Sequence, residues 1–85
     1  PEISRFYGII IAMFYEDHNP PHFHARYSGD QAVIKIDDFT VLEGFLPPRA
    51  LGLVVEWAAR HIAELSKNWE SILNHQPLRK IAPLD

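Results

Sequence analysis

The stretch His22-Phe23-His24-Ala25-Arg26-Tyr27-Ser28-Gly29-Asp30-Gln31-Ala32-Val33-Ile34-Lys35-Ile36-Asp37 decides how this chain folds. Phe23, Ala25 and Tyr27 alternate with His22, His24 and Arg26, the period of a half-buried strand. Gly29-Asp30 has the Gly-X form of a two-residue hairpin turn, and Ala32, Ile34 and Ile36 then resume the alternation. A loop at Gly29-Asp30 sets Tyr27 against Ala32, Ala25 against Ile34 and Phe23 against Ile36, with every apolar pair on one face. On the other face the same register sets His22 across from Asp37, His24 from Lys35 and Arg26 from Val33.

Towards the N-terminus, Ile3 to Phe6 and Ile9 to Tyr15 flank a Tyr7-Gly8 turn. The second run is almost wholly apolar, as expected of a central strand buried on both faces. Glu16 to Pro21 is a loop, because Asn19-Pro20-Pro21 cannot continue a ladder. Phe39 to Glu43 can add a short strand, and Pro47-Pro48 suits the start of a helix. From Arg49 to His75 apolar residues recur at helical spacing, among them Leu51, Val54, Ala58, Ile62, Leu65, Trp69 and Ile72.

Such a helix would be roughly 40 Å long, more than a domain this small is wide, so a kink at His61 or Ser66 or an overhanging end used for association is expected. Glu56 with Arg60, and Glu64 with Lys67, have the spacing of solvated helix-face pairs. The tail keeps Leu78, Ile81 and Leu84 between two prolines, which suits an extended segment packed on the domain or a neighbour. The expected class is α+β: one domain over 1–85, with an antiparallel sheet of about four to five strands over 3–43. One long, kinked or straight C-terminal helix over 48–75 and an extended tail over 76–85 complete it.

A chain of 85 residues buries roughly 60% of the surface its unfolded form exposes, which leaves a modest core. With no cysteine there is neither a disulfide framework nor a thiolate nucleophile, a composition that fits the cytoplasm. The longest apolar run, Ile9 to Tyr15, is too short to span a bilayer, so no membrane role is expected. A net charge of −3 argues against a broad cationic surface for nucleic acid. Arg26, Lys35, Arg79 and Lys80 could form a local basic patch but read first as solvated charges. The expected partner is a second copy of the chain or a small protein.

Chemistry concentrates in Asp17-His18-Asn19-Pro20-Pro21-His22-Phe23-His24, which holds three of the five histidines. Histidines two apart on a strand project from one face and can reach one ion at about 2.1 Å. The candidate ligands are Asp17, His18, His22 and His24, with Asp37 as a further carboxylate, for a divalent transition metal such as zinc. A metal-free alternative makes His22, His24 and Asp37 catalytic: a His22 imidazole oriented by Asp37, His24 or His18 as its acid–base partner, and Arg26 for an anion, as in a small ribonuclease or phosphodiesterase. A third reading has His18, His22 and His24 hydrogen-bond loop carbonyls and Asp17, holding the Pro-Pro turn against the sheet with Phe23 and Tyr27 in the core; a protein-interaction domain with no site is the alternative from another class.

The opening from Ile3 to Ile11, the Asp17 to Ala25 block, Leu46-Pro47-Pro48-Arg49-Ala50-Leu51, Glu56-Trp57-Ala58, Asn68-Trp69-Glu70 and Pro77-Leu78-Arg79-Lys80-Ile81 together resemble the small bacterial domain-of-unknown-function family numbered 4160. The resemblance implies a free-standing small bacterial protein, suspected of belonging to toxin–antitoxin-like modules, and it carries over no catalytic residue. The family pattern contains the same Asp17, His18, Pro20, Pro21, His22, Phe23 and His24 positions.

Overall fold

A computed structural model describes residues 1–85. Five antiparallel strands form one sheet in chain order: β1 Glu2–Phe6, β2 Ile9–Ala12, β3 His22–Tyr27, β4 Asp30–Lys35 and β5 Val41–Gly44. Two helices follow, α1 Pro48–Arg60 and α2 Ile62–Leu73. The α+β class therefore holds, with two helices in place of the one long helix the periodicity predicted.

The break falls at His61, whose backbone (φ −131°, ψ 27°) leaves the helical region. Its N–H donates to Ala58 in a tightened last turn, while its C=O accepts from Leu65 and so starts α2. The molecule is 34 Å in its longest dimension, shorter than an unbroken helix would be. Glu64 lies in the first turn of α2 and engages His61 Nδ1 at 2.6 Å, not Lys67 as its spacing had implied. The Glu56–Arg60 pair forms at 2.8 Å.

The first hairpin turns through Tyr7 (φ 51°) and Gly8 (φ 78°), both left-handed as a type I′ turn demands. The second closes on Ser28-Gly29, one residue earlier than Gly29-Asp30, with Ser28 taking the left-handed conformation (φ 56°). Tyr27 then pairs with Asp30, Ala25 with Ala32, Phe23 with Ile34 and His22 with Lys35, so every partner moves by two residues. A shift of two preserves the faces, and the apolar set stays on the core side.

β2 is shorter than its apolar run. It ends at Ala12 and lies second in the sheet, with Ile9 and Ile11 buried but Ile10 and Ala12 only partly so. It is not the central strand, and its second face is not closed over.

The helices cover one face. Ala50, Val54, Trp57 and Ala58 of α1 and Leu65, Trp69 and Ile72 of α2 join Ile9, Ile11, Phe23, Ala25, Ala32 and Ile34 in a single apolar cluster. Trp57 is at its centre, with ring centroids 5.4 Å from Phe6 and 5.9 Å from Phe23. The opposite face carries Ile10, Ala12, His24, Arg26, Gln31 and Val33 without a covering layer.

The tail is strapped to its own domain. Ile81 N–H donates to the Ile3 carbonyl, Trp57 Nε1–H to the Ala82 carbonyl, and Tyr15 O–H to the Gln76 carbonyl, each at 2.8 Å. Buried Asn68 clamps Arg79 from both sides: its Nδ2 donates to the Arg79 carbonyl and its Oδ1 accepts the Arg79 N–H, each at 2.9 Å. Asn68→Ala deletes both bonds at once. It is expected to cost about 2 kcal/mol and lower Tm by roughly 10 °C. Thermal denaturation measures the loss, and protease cleavage confined to residues 76–85 would locate it in the strap.

Candidate metal centre

Asp17 reaches the sheet through a turn that it caps itself. Where β2 ends, the Phe14 N–H donates to Asp17 Oδ2 at 3.0 Å and the Asp17 N–H to the Phe14 carbonyl at 3.0 Å. This small loop is the kind of local structure aspartate favours, because its side chain can satisfy a nearby backbone donor. Pinned in this way, the other carboxylate oxygen points at β3.

His22 and His24 meet it there. His24 Nε2 lies 3.0 and 3.2 Å from the two Asp17 oxygens, and His22 Nε2 lies 3.4 Å from Oδ1. Their rings are 5.2 Å apart, edge to face. His22 is 8% exposed and leans on the Trp69 ring of α2 at 5.2 Å, while Phe14 closes the outer side of His24 at 4.9 Å. The three residues form a group whose ligating atoms all lie within 4.8 Å of one another.

The hydrogen-bond chemistry of His22 makes the group informative. Its Nδ1 lies 2.7 Å from the Pro20 carbonyl, an atom that can only accept, so Nδ1 carries the proton. A neutral His22 therefore presents its Nε2 lone pair to Asp17. Partial burial on its own would push the Asp17 carboxyl up, but the Phe14 N–H, the His24 hydrogen bond and the charges the two imidazoles carry when protonated outweigh it and hold it below its ordinary value. Whenever His22 is neutral, a lone pair faces the carboxylate at 3.4 Å. Only a proton or a cation between them makes that contact favourable.

The 3.4 Å between His22 Nε2 and Asp17 Oδ1 matches a ligand–ligand edge of a metal centre, whereas the His24–Asp17 pair, at 3.0 Å, would open slightly to admit an ion. With legs of about 2.1 Å, the edge of a tetrahedral centre is about 3.4 Å long. Two imidazole nitrogens and one carboxylate oxygen suit zinc, nickel or ferrous iron. A backbone carbonyl holding the second ring nitrogen is the usual way a ligating histidine is oriented.

The other predicted site residues lie apart. His18 is exposed and lines the same hollow of about 340 Å³ with Asp17, Pro20, His22, His24 and Glu43, but it stands outside the ligating group. Asp37 does not face His22. The hairpin closes earlier than expected, Lys35 takes the place opposite His22, and Asp37 falls beyond the strand with its side chain 74% exposed, 3.7 Å from Lys35 Nζ.

Pro20 supplies the orienting acceptor by its backbone, a loop-carbonyl bond of the kind the packing reading of these histidines expects. Trp69 is the core residue its helical spacing implies, but its contact with His22 and the approach of Glu43 have no local signal. Trp69 arrives from a helix distant in sequence, and Glu43 by way of β5, where it pairs with Val33, itself the partner of His24.

No helix is long and apolar enough to cross a membrane. Comparison with curated proteins and with solved structures finds no match to this chain. The Asp17–His24 block lies inside a family match that runs from Gly8 to Glu70, most of the chain, and the chain accordingly belongs to the family described as Domain of unknown function (DUF4160).

Proposed function

We propose that Asp17, His22 and His24 hold one divalent transition metal, zinc being the first choice, with coordination positions left open towards the hollow. The observation that carries this reading is His22 itself: its Nδ1 proton is committed to the Pro20 carbonyl and its Nε2 faces an ionised carboxylate. Three protein ligands plus open positions is the pattern of catalytic rather than structural zinc. Such an ion would polarise a bound oxygen or lower the pKa of a bound water, chemistry that suits a small metal-dependent hydrolase or a ligand-binding module.

The metal-free ribonuclease reading is weaker on this geometry. His22 and His24 lean on one carboxylate with their rings in edge contact, so both Nε2 atoms face Asp17. The toxin–antitoxin-like role rests on the family resemblance and on size; association with a second copy rested on an overhanging helix end or tail, and the tail is bonded to its own chain. A hydrolytic toxin would arrest growth on expression, and a His22→Ala, His24→Ala double variant would relieve the arrest.

The test is metal content. Tag-free protein is expected to carry, or take up on titration, one equivalent of zinc or nickel, and the folded double variant none. At free zinc a hundred times Kd, linkage adds about 2.7 kcal/mol to stability and raises Tm by roughly 10–20 °C. Absence of metal from the wild type after titration with both ions, with no change in Tm, overturns the reading.

A further inference from the structure

Of the eight lysines and arginines, Arg5, Lys35 and Arg60 enter ion pairs. Three of the others, Lys67, Arg79 and Lys80, line one hollow of about 460 Å³ between α2 and the tail, the largest in the molecule. It shares no residue with the hollow at Asp17, His22 and His24.

Two parts of the fold bring these cations together. Lys67 has the spacing to pair with Glu64, but Glu64 is taken by His61 Nδ1 at 2.6 Å and Lys67 is left free. Arg79 and Lys80 belong to a segment that cannot splay away, because Asn68 holds both backbone groups of Arg79 and the Ile81 N–H is bonded to Ile3. Glu64 is the one carboxylate in the hollow. Outside it, Glu2 feels the Lys80 charge, but both its oxygens are already held by Arg5. Three cations thus share a groove with one committed carboxylate, in a chain whose net charge is −3. A cleft lined by one sign of charge concentrates the opposite ion.

We propose that this groove binds a small molecule through a diphosphate group. Arg79 offers a planar fork of N–H donors matched to phosphate oxygens, while Lys67 from the helix and Lys80 from the tail add point charges. A single phosphate group carries about −1.5 to −2 at neutral pH, less than three cations answer, so two linked phosphates complement the groove better than one. The volume falls within the roughly 300–1,000 Å³ of small-molecule sites. Ala63 and Ile81 are its only apolar lining, with no aromatic ring on which a base could stack, and the negative chain as a whole repels a long polyanion. Both features favour a small phosphate ester over a nucleic-acid strand. The inference is independent of the metal reading.

Calorimetry with inorganic pyrophosphate tests it, in low salt to limit screening and with EDTA to keep metal ions out. One equivalent is expected to bind, more tightly than orthophosphate. Lys67→Gln with Arg79→Gln is expected to weaken binding about tenfold or more, whereas Arg26→Gln with Arg49→Gln, which lowers the net charge equally outside the groove, should change it by less than about twofold. All four side chains are exposed and the Asn68 clamp holds only the Arg79 backbone, so both double variants should keep the wild-type Tm. Lys67→Gln alone, which lies off the tail, should already weaken binding severalfold with the strap untouched. No binding to the wild type overturns the site, and so does equal weakening in the two double variants, which would make net charge the cause. Orthophosphate bound as tightly as pyrophosphate overturns the diphosphate. A short single-stranded RNA bound more tightly than pyrophosphate, and lost in the Lys67→Gln, Arg79→Gln variant, would give the groove to nucleic acid and overturn the small ligand.

Discussion

Asp17→Asn is expected to weaken zinc binding by more than about a hundredfold while leaving the fold intact. Loss of a residue that only orients a ligand costs 10- to roughly 100-fold in metal affinity, so removing the charged ligand itself exceeds that range. The substitution is chosen because Asp17 has two separable duties. One oxygen accepts the Phe14 N–H and shapes the turn, and an asparagine carbonyl can still do that. The other faces both imidazoles, and there the negative charge is what matters.

The metal-free proteins should also differ in acid. Because the native structure holds the Asp17 carboxyl below its ordinary value, its contribution to stability is present above the ordinary carboxylate range and is lost as pH falls through the lowered native value. Urea midpoints measured from about pH 6 to about pH 3 should therefore fall more steeply for the wild type than for Asp17→Asn. Parallel pH profiles would show that the carboxylate does not interact with the histidines in solution. Unchanged zinc affinity would remove Asp17 from the ligand set.

How much of this arrangement the chain announces depends on the range of the interaction. The β3–β4 hairpin is legible because its alternation is local, and so is the identity of its buried face. Its register is not. Moving every partner by two residues leaves Phe23, Ala25, Ala32 and Ile34 on the same side, so hydrophobic pattern is blind to the shift and only the turn decides it. The turn decided it through Ser28, a residue whose left-handed backbone no propensity would favour over the glycine beside it.

That shift carried Asp37 away from His22 and left the orienting role to the Pro20 carbonyl. The Asp17–His22–His24 proximity was readable as a cluster in sequence, because all three lie on one loop and its following strand. The Trp69 support was not, since it depends on how α2 lies across the end of the sheet. Length alone left a kink at His61 or Ser66 or an overhanging end; the structure, 34 Å in its longest dimension, takes the break at His61.

Trp57→Ala is expected to produce the largest loss of stability of any single substitution here, about 3–5 kcal/mol, the range for emptying a buried tryptophan position. Trp57 is fully buried and joins three parts of the structure. Its ring touches Phe6 of β1 and Phe23 of β3, its Nε1–H holds the Ala82 carbonyl of the tail, and it packs on His61 at the helix break, with centroids 5.6 Å apart. A small domain has about 5–15 kcal/mol in total, with chains of this length towards the lower end, so the variant should be largely unfolded near 37 °C.

Trp57→Phe separates the two duties of the side chain. Phenylalanine keeps much of the packing but has no N–H for Ala82, and it should cost about 1–3 kcal/mol. The core should survive in Trp57→Phe while amide exchange accelerates across residues 78–85. If packing alone mattered, the tail would remain as protected as in the wild type. If the strap is a condition of the fold, Trp57→Phe would lose tail protection and thermal stability in one transition, as Asn68→Ala would from the other end of the same segment.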